Sequence, residues 1–202
     1  MSGLVSVQLS MEALCPDCIN YSATQISALM SAVPSIVSLS VLPYGNASPN
    51  SSTGGWDCQH GVNECIGNMY LACAQSHFPT VDAATSIPQW FPFYECMESS
   101  NDNKNRVGPY NTTAAITCAE GLDWNIISDC AGPDPSLGSE NDGSPLMQSI
   151  AEATPEHTFV PWVVVDGETV ADDGDGYPAG DLTAIVCKAY EGDELPDACA
   201  GN

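Results

Sequence analysis

The sequence predicts a mixed α/β fold in which a helical, disulfide-rich segment is inserted between the second and third strands. Apolar runs of strand character lie toward the two ends of the 202-residue chain, and helix-type spacing fills the region between them. A Cys-x-x-Cys pair follows the first run, and six of the ten cysteines fall in the helical region. We therefore expect a single domain, residues 1–202, with a core formed by 4–46 and 157–191 and an insertion over about 57–153.

The N-terminal part has the pattern of a strand–helix–strand unit. Residues 4–9 and 36–42 each form a short apolar run typical of a buried strand. Between them, apolar or small residues recur every three or four positions from Pro16 to Val33, which predicts one helix. Pro34 ends this helix, because proline cannot continue one. Such a unit pairs its strands in parallel through a right-handed crossover.

The middle of the chain has helical rather than strand character. Residues 47–56 are rich in Ser, Asn, Gly and Pro and are predicted to form a loop. Residues 132–143 form a second break without core content. Helices are predicted at 62–77 and 112–131, with less regular helical pieces around 88–99 and 144–153.

Strand character returns near the C-terminus. Residues 158–165 form an apolar run, and the turn pair Asp166–Gly167 joins it to the short run 168–170, which predicts a hairpin. A last helix is expected to begin near Asp181. The complete order, βαβ followed by helices and then ββα, is that of a thioredoxin-like core.

The charge of the chain excludes two classes of partner. It contains 26 Asp and Glu residues but only Lys104, Arg106 and Lys188 as cations, for a formal charge of −23. Nucleic acids and anionic membranes are recognised largely by Lys and Arg, so neither is an expected partner. No apolar run is long enough to span a membrane. The acidity suits either an acidic compartment or simple solubility after secretion.

The cysteine content and the glycosylation motifs both indicate an oxidising compartment. Asn-x-Ser/Thr motifs occur at Asn20, Asn46, Asn50 and Asn111. Asn20 falls within the first predicted helix, so the other three are the candidates for glycosylation. No signal-peptide pattern precedes the first strand, and we expect that a targeting segment has been removed from this sequence.

Cys15 and Cys18 form the predicted redox centre. A thiol attacks a disulfide only as the thiolate, and the free N–H groups of a helix N-terminus lower the pKa of a cysteine placed there. Cys15, on the exposed side, is the expected nucleophile, and Cys18, one turn further, is the expected resolving thiol. The Asp17 carboxylate opposes thiolate formation at neutral pH, which suggests that activity tolerates acid.

Pro161 is the third candidate for the site. In this fold, the strand after the insertion brings a proline against the Cys-x-x-Cys pair, with a cis peptide bond that leaves the neighbouring backbone free to pair with an extended substrate. We therefore expect the Val160–Pro161 bond to be cis.

Spacing alone leaves two other interpretations of the pair open: structural cysteines that are bonded elsewhere, or half of a zinc site. Zinc is disfavoured because no second Cys-x-x-Cys and no His-x-x-x-His supplies the remaining ligands. His60 lies near Cys58, but a single neighbouring histidine is not a site. His157, ahead of the late strand, can approach the pair or lie at the surface. The acidic segment 172–176 fails the EF-hand pattern, so no metal or cofactor is expected.

One segment is much more specific than the pair. Residues 58–73, here called the signature segment, match C-Q-H-G-x-x-E-C-x-x-N-x-x-x-x-C. This pattern resembles the signature of the gamma-interferon-inducible lysosomal thiol reductase family, and residues 12–15, 42–47 and 160–163 resemble the family as well.

The resemblance implies a thioredoxin-like reductase that opens protein disulfides in acidic compartments, in the lysosome or vacuole or after secretion. It implies disulfide-containing proteins as substrates, a small thiol as electron donor, and Cys15 and Cys18 as the redox centre. The remaining eight cysteines are taken as structural: Cys58, Cys65, Cys73, Cys96, Cys118, Cys130, Cys187 and Cys199. Eight cysteines allow about a hundred connectivities, and only the pair Cys187–Cys199 is favoured, because it would pin the tail to the last helix.

Two other functions remain open at this point. A thiol oxidase or isomerase can use the same fold and the same pair, because the direction depends on reduction potential. A secreted binding protein with all ten cysteines bridged is the non-enzymatic alternative.

Overall fold

The structure is a computed structural model that describes residues 3–52, 54–99, 112–133 and 143–200. The strands are β1 Val5–Met11, β2 Val37–Pro43, β3 Ser48–Pro49, β4 Trp56–Asp57, β5 Trp162–Val165 and β6 Glu168–Thr169. The α-helices are α1 Pro16–Tyr21, α2 Ser27–Ala32, α3 Val62–His77, α4 Phe91–Ser99, α5 Thr112–Cys118, α6 Trp124–Ala131, α7 Gly143–Ala153 and α8 Leu182–Ala189.

The central sheet has four strands in the order β2–β1–β5–β6. Strands β1 and β2 are parallel, in register from Val5 opposite Val37 to Met11 opposite Pro43. Strand β5 lies antiparallel on the other side of β1 and pairs with β6 in a hairpin. The predicted βαβ unit and the predicted hairpin are therefore confirmed. Strand β5 begins at Trp162 rather than at residue 158, after Pro161, which has no N–H to donate to a ladder.

The helix after β1 is one run in three parts. Between α1 and α2 lies a π-helical turn, Ser22–Ile26, where a single regular helix was expected. The Ser22 hydroxyl donates to the Cys18 carbonyl at 2.7 Å, and it also lies 2.5 Å from the Tyr94 hydroxyl. Hydroxyl bonding to the carbonyl four residues back bends helices. Ser22 thus joins the redox helix to α4 of the insertion.

The insertion differs from its prediction in two places. The predicted loop at 47–56 contains β3, which pairs with β4 in a two-stranded antiparallel sheet. The predicted helix 112–131 is two helices, separated at Gly121, whose φ of +89° no helix accommodates. Asp123 then caps α6 by accepting from the Asn125 N–H. Helix α3 has the bounds that the spacing predicts.

The sheet and the insertion share one hydrophobic core. Buried residues of β1, such as Leu9 and Met11, belong to the same cluster as Met69 of α3 and Phe93 of α4. Helix α3 packs against β2, α6 and α7. The position of α3 relative to the sheet is therefore held by apolar burial on several sides.

Four disulfides pair eight of the ten cysteines. Cys58–Cys65 closes the loop before α3, and Cys187–Cys199 ties the C-terminal 3₁₀ turn to α8, which is the pairing favoured from the sequence. The other two, Cys73–Cys130 and Cys96–Cys118, join α3 to α6 and α4 to α5. None of the helices within the described ranges is long and apolar enough to cross a bilayer.

Candidate active site

Cys15 and Cys18 are the two cysteines without a disulfide. Strand β1 ends at Met11, and the chain then turns, with Leu14 at a φ of +70° and the Cys15 N–H donating to the Glu12 carbonyl at 3.3 Å. Cys15 is the N-cap of α1. Its residue surface is 6% exposed, whereas Cys18 is fully enclosed. Cys15 is thus the more accessible thiol of a largely buried pair.

The surroundings lower the pKa of Cys15 and raise the pKa of Cys18. A hydrogen bond from the Cys18 thiol lowers the pKa of Cys15, and the backbone N–H groups of Cys18 and Asp17 lower it further. Burial and the Glu12 carboxylate oppose this shift. Burial is the main cause that raises the pKa of Cys18 well above its ordinary value. This asymmetry suits a pair in which Cys15 attacks first.

Glu12 is a carboxylate that raises the pKa of Cys15, whereas the sequence pointed to Asp17 in this role. Asp17 is exposed, and its backbone N–H favours the Cys15 thiolate. Glu12 is fully buried three positions before the nucleophile. The difference arises because a buried charge is screened much less than one in water.

The Val160–Pro161 peptide bond is cis, as expected. In the antiparallel register of β1 and β5, Ser10 lies opposite Trp162. Pro161 directly precedes Trp162, so the cis bond lies just before the strand that pairs with the C-terminal part of β1.

The signature segment holds the loop that carries Cys15. The side chain of Asn68 accepts a hydrogen bond from the Ala13 N–H at 2.8 Å, and both groups are buried. Gln59 accepts from the Asn46 side chain, which also donates to Glu12 Oε1. Residues of the insertion thus form hydrogen bonds with the loops that follow β1 and β2.

Glu12, His60 and Glu64 form a cluster beside this loop. His60 Nδ1 lies 2.5 Å from Glu64 Oε2 and 3.4 Å from Glu12 Oε2. Helix α3 starts after Gly61, whose φ of +84° lets the chain turn so that the His60 N–H also donates to Glu64. Burial, together with the charge of Glu12, raises the pKa of Glu64 to about 8.

A second buried carboxyl approaches the thiols from α4. Glu98 is 2% exposed, and neither of its carboxyl oxygens has a hydrogen-bond partner among the described residues. Burial raises its pKa to about 8, and the negative charge of Cys15 adds to the shift. Glu98 also raises the pKa of Cys18. It is therefore close enough to both thiols to interact with them electrostatically.

A cavity of about 730 Å³ lies between the loop after β2 and the segment that leads into β5. Trp162, His157 and Tyr44 line it, together with Asn46 of the loop after β2. Phe159 stacks edge-on against Trp162, with ring centroids 5.0 Å apart. The cavity is large enough to hold a few side chains of an extended chain.

Comparisons with known proteins agree with this geometry. A family model described as gamma interferon inducible lysosomal thiol reductase (GILT) matches residues 6–122. The mouse (Mus musculus) gamma-interferon-inducible lysosomal thiol reductase is 30% identical over 202 residues, which is 97% of this chain and 72% of that protein. The chain belongs to the gamma-interferon-inducible lysosomal thiol reductase family. It is a thiol–disulfide oxidoreductase, and the family's thiol reductases support disulfide reduction as its activity.

Another similar relative is the gamma-interferon-responsive lysosomal thiol protein of Arabidopsis thaliana, 30% identical over 98% of this chain and 76% of its own length. Among solved structures, reduced DsbA of Mycobacterium tuberculosis aligns with a TM-score of 0.61 at 16% identity over 97% of this chain and 88% of that one. The disulfide oxidoreductase DsbG of the same organism aligns with a TM-score of 0.58 at 18% identity, over 98% and 84%. These structural neighbours show the thioredoxin-like fold that the sequence predicts.

The structure also bears on three other interpretations made from the sequence: the binding-protein alternative, the position of His157 and the acidic segment 172–176. The binding-protein alternative with ten bridged cysteines is wrong for this structure, since Cys15 and Cys18 are unpaired. His157 lines the cavity beside Trp162 and bonds through Nδ1 to the Pro155 carbonyl. The acidic segment 172–176 is an exposed loop held partly by its own backbone N–H groups.

The glycosylation candidates remain predictions. Asn46 is exposed, but its amide donates to both Glu12 and Gln59, so a glycan there would remove one of these bonds. The Asn50 side chain donates to Asp57 at 2.8 Å. Asn111 lies outside the described residues.

Sequence reasoning did not assign roles to Glu12, Glu64, Asn68 and Glu98. Glu64 and Asn68 stand at fixed positions of the signature pattern, and Glu12 belongs to another family-like stretch, so the pattern marked three of the four residues without indicating what they contact. No pattern marked Glu98.

Proposed function

We propose that this protein reduces disulfide bonds of protein substrates through Cys15 and Cys18. The observation that carries the proposal is the pair itself: two free thiols at a strand–helix junction, with the pKa of the accessible one lowered and that of the enclosed one raised. The other eight cysteines are paired in disulfides.

The reaction has two exchange steps. The Cys15 thiolate attacks one sulfur of a substrate disulfide, forms a mixed disulfide, and releases the other sulfur as a thiolate that takes up a proton. Cys18 then loses its proton and attacks Cys15 Sγ, so the substrate leaves as a dithiol and the enzyme keeps a Cys15–Cys18 disulfide. Two molecules of a small thiol, oxidised to their own disulfide, return the enzyme to its reduced form.

Pro161 contributes by placing the substrate. The support for this role is its cis peptide bond and its position just before Trp162, which pairs with Ser10 near the end of β1 and lines the cavity. A backbone segment docked beside Pro161 has its cysteine beside Cys15 and its neighbouring side chains in the cavity. The cavity walls include the aromatic rings of Tyr44 and Trp162, which can contact apolar side chains of a substrate.

The proposed location is the lysosome or vacuole, or the exterior of the cell. Glu98, with a pKa of about 8, holds a proton at neutral as well as at acidic pH, so it places little negative charge against the Cys15 thiolate at either. The formal charge of −23 is reduced in acid as surface carboxylates take up protons. The relatives whose names include the word lysosomal support this location.

Trapping the mixed disulfide tests the proposal. Reduced Cys18→Ser protein, mixed with a denatured disulfide-bonded protein at about pH 4.5 and about pH 7, is expected to accumulate a covalent complex through Cys15, because the resolving thiol is missing. Wild-type protein is expected to release free substrate thiols instead, while Cys15→Ser does neither. If Cys15→Ser reduces the substrate as fast as wild type, the proposal fails.

The direction of the reaction is tested separately. We expect the Cys15–Cys18 couple, equilibrated with glutathione buffers, to be reducing enough to open substrate disulfides. A potential near that of a strong oxidase, about −120 mV, would make the protein an oxidase of the same fold instead.

A further inference from the structure

The cluster of Glu12, His60 and Glu64 contains two carboxyl groups and one imidazole. The side chains of Glu12 and Glu64 are fully enclosed, and that of His60 is 13% exposed. Two carboxylates therefore share a single imidazole in an interior where an uncompensated charge is costly. An imidazole that binds a metal ion is neutral, so a divalent ion bound here would balance the two ionised carboxylates.

Two oxygens of the cluster have no hydrogen-bond partner among the described residues: Glu12 Oε2 and Glu64 Oε1. Almost all buried polar atoms in proteins have a hydrogen-bond partner or bind an ion, so we expect each of these two oxygens to bind a group that is absent from the chain itself. Glu12 Oε2 is directed at the cluster, since it lies 3.4 Å from His60 Nδ1. Ligand atoms of the three residues all lie within 4.8 Å of one another, which is close enough for one ion to reach all three.

The rest of each carboxylate is already held in place. Glu12 Oε1 accepts from the Asn46 backbone N–H at 2.7 Å and from its side-chain amide at 2.8 Å, so Oε2 remains for a ligand. Glu64 Oε2 accepts from the His60 N–H at 2.7 Å. Bonds of this kind fix the orientation of carboxylates that bind metals.

The neighbouring backbone makes room for this arrangement. A Cβ added at Gly45 would lie 2.2 Å from Glu12 Cγ, so only glycine lets the Glu12 side chain occupy its place. His60 is the part of the cluster that reaches solvent and offers a path of entry. The enclosed donors, their orientation and an entry path together make a built site rather than an accidental group of acids.

We propose that Glu12, His60 and Glu64 bind one divalent transition-metal ion of the Zn²⁺ class. One imidazole nitrogen and two carboxylate oxygens are a donor set that suits zinc, whereas Ca²⁺ and Mg²⁺ prefer oxygen alone. Three protein ligands leave a fourth position open in a tetrahedral site. The site uses neither thiol of the redox pair, which distinguishes it from the zinc interpretation of Cys15 and Cys18.

The experiment uses the full chain with its four disulfides intact and with both redox thiols replaced, Cys15→Ser and Cys18→Ser, so that no thiolate can bind the ion. After treatment with a chelator, the protein is titrated with Zn²⁺ in excess Mg²⁺, which occupies weak surface carboxylate sites. We expect one equivalent of Zn²⁺ to bind and the thermal midpoint to rise, since the ion binds only the folded site. Absence of stoichiometric binding to the folded protein would overturn the proposal.

Matched variants locate the ion. In the same background, His60→Gln and Glu64→Gln are each expected to weaken Zn²⁺ binding more than about 100-fold, since even outer-shell changes cost about 10- to 100-fold. His157→Gln and Glu95→Gln, which change the same residue types elsewhere, are expected to leave the affinity unchanged. Equal Zn²⁺ binding by His60→Gln and His157→Gln would exclude the site.

A second experiment keeps all three proposed ligand residues, so its result does not depend on whether the substituted variants fold. Diethyl pyrocarbonate acylates accessible imidazole nitrogens, and peptide mapping reports each histidine separately. Zn²⁺ is expected to protect His60 from acylation and to leave His157 as reactive as before. Equal acylation of His60 with and without Zn²⁺ would overturn the proposal.

Discussion

The Ala13 N–H donates to Asn68 Oδ1 across 55 residues of chain, in a buried hydrogen bond of 2.8 Å. Ala13 lies two positions before the candidate nucleophile, and Asn68 lies in the middle of α3. A single amide of the insertion therefore anchors the loop of Cys15. This contact also gives a structural reason for the asparagine of the signature pattern.

Replacing Asn68 tests this anchor. Asn68→Ala leaves the Ala13 N–H buried without a partner and is expected to lower the free energy of unfolding by about 1–3 kcal/mol. Asn125→Ala, at an exposed asparagine, is the control and is expected to change it by less than about 0.5 kcal/mol. Urea unfolding with disulfides intact measures both. The anchor role fails if the two variants are equally stable.

Gly45 is expected to tolerate no side chain. Gly45→Ala places a Cβ against Glu12 and is expected to cost about 1–3 kcal/mol for overpacking, in addition to the penalty of a positive φ. Gly167→Ala separates the two effects, because Gly167 also has a positive φ but has open space around it. Thermal unfolding of both variants is the measurement. A Gly45→Ala midpoint at or above that of Gly167→Ala contradicts the expected clash.

Glu98 is expected to make the protein more stable in acid. Its pKa rises from an ordinary 4.5 to about 8 on folding, so between these pH values the folded state holds a proton that the unfolded state has released. The stabilisation is complete below the lower pKa and is lost as pH rises toward the higher one, at about 1.4 kcal/mol per pH unit. Urea unfolding at several pH values across this range gives the slope.

Glu98→Gln removes the titratable carboxyl group. The variant is expected to lose the contribution of Glu98, about 1.4 kcal/mol per pH unit, from the dependence of stability on pH. Glu95→Gln, at an exposed position of the same helix, serves as the control and is expected to retain the wild-type dependence. Identical slopes in wild type and Glu98→Gln would show that the buried carboxyl does not contribute.

The two disulfides of α3 are expected to differ in their contribution to stability. Cys73–Cys130 joins residues 57 positions apart, and Cys58–Cys65 joins residues 7 apart. In the chain-entropy model, the longer loop gives about 4 kcal/mol and the shorter about 2.5 kcal/mol. Paired Cys→Ala variants, unfolded in guanidinium, measure the difference. A larger loss for the shorter loop would contradict this order.

The elements predicted correctly are those whose signal is local. Spacing of apolar residues marks β1, β2 and α3, and the Asp166–Gly167 turn marks the hairpin, because each depends on a few neighbouring positions. The pairing of Ser48 with Asp57 has no such signal, since two-residue strands show no periodicity.

The candidate site divides in the same way. Cys15 and Cys18 are recognisable from the sequence because a Cys-x-x-Cys redox pair occupies only four consecutive residues. The contact of Glu12 with His60 and Glu64 depends on how α3 packs beside the end of β1, which no local pattern encodes. Glu98 is the extreme case, because a glutamate on a helix is normally in water and only the packing of α4 shows that it is enclosed.

The burial of the structural cysteines has a consequence for an enzyme of this kind. An enzyme that opens disulfide bonds also contains disulfide bonds of its own. In each of the four disulfides at least one partner is less than 8% exposed, as with Cys73 at 0% and Cys199 at 3%. Thiol exchange requires the attacking sulfur to reach the bond. The fold therefore protects the enzyme from the chemistry that it performs on others.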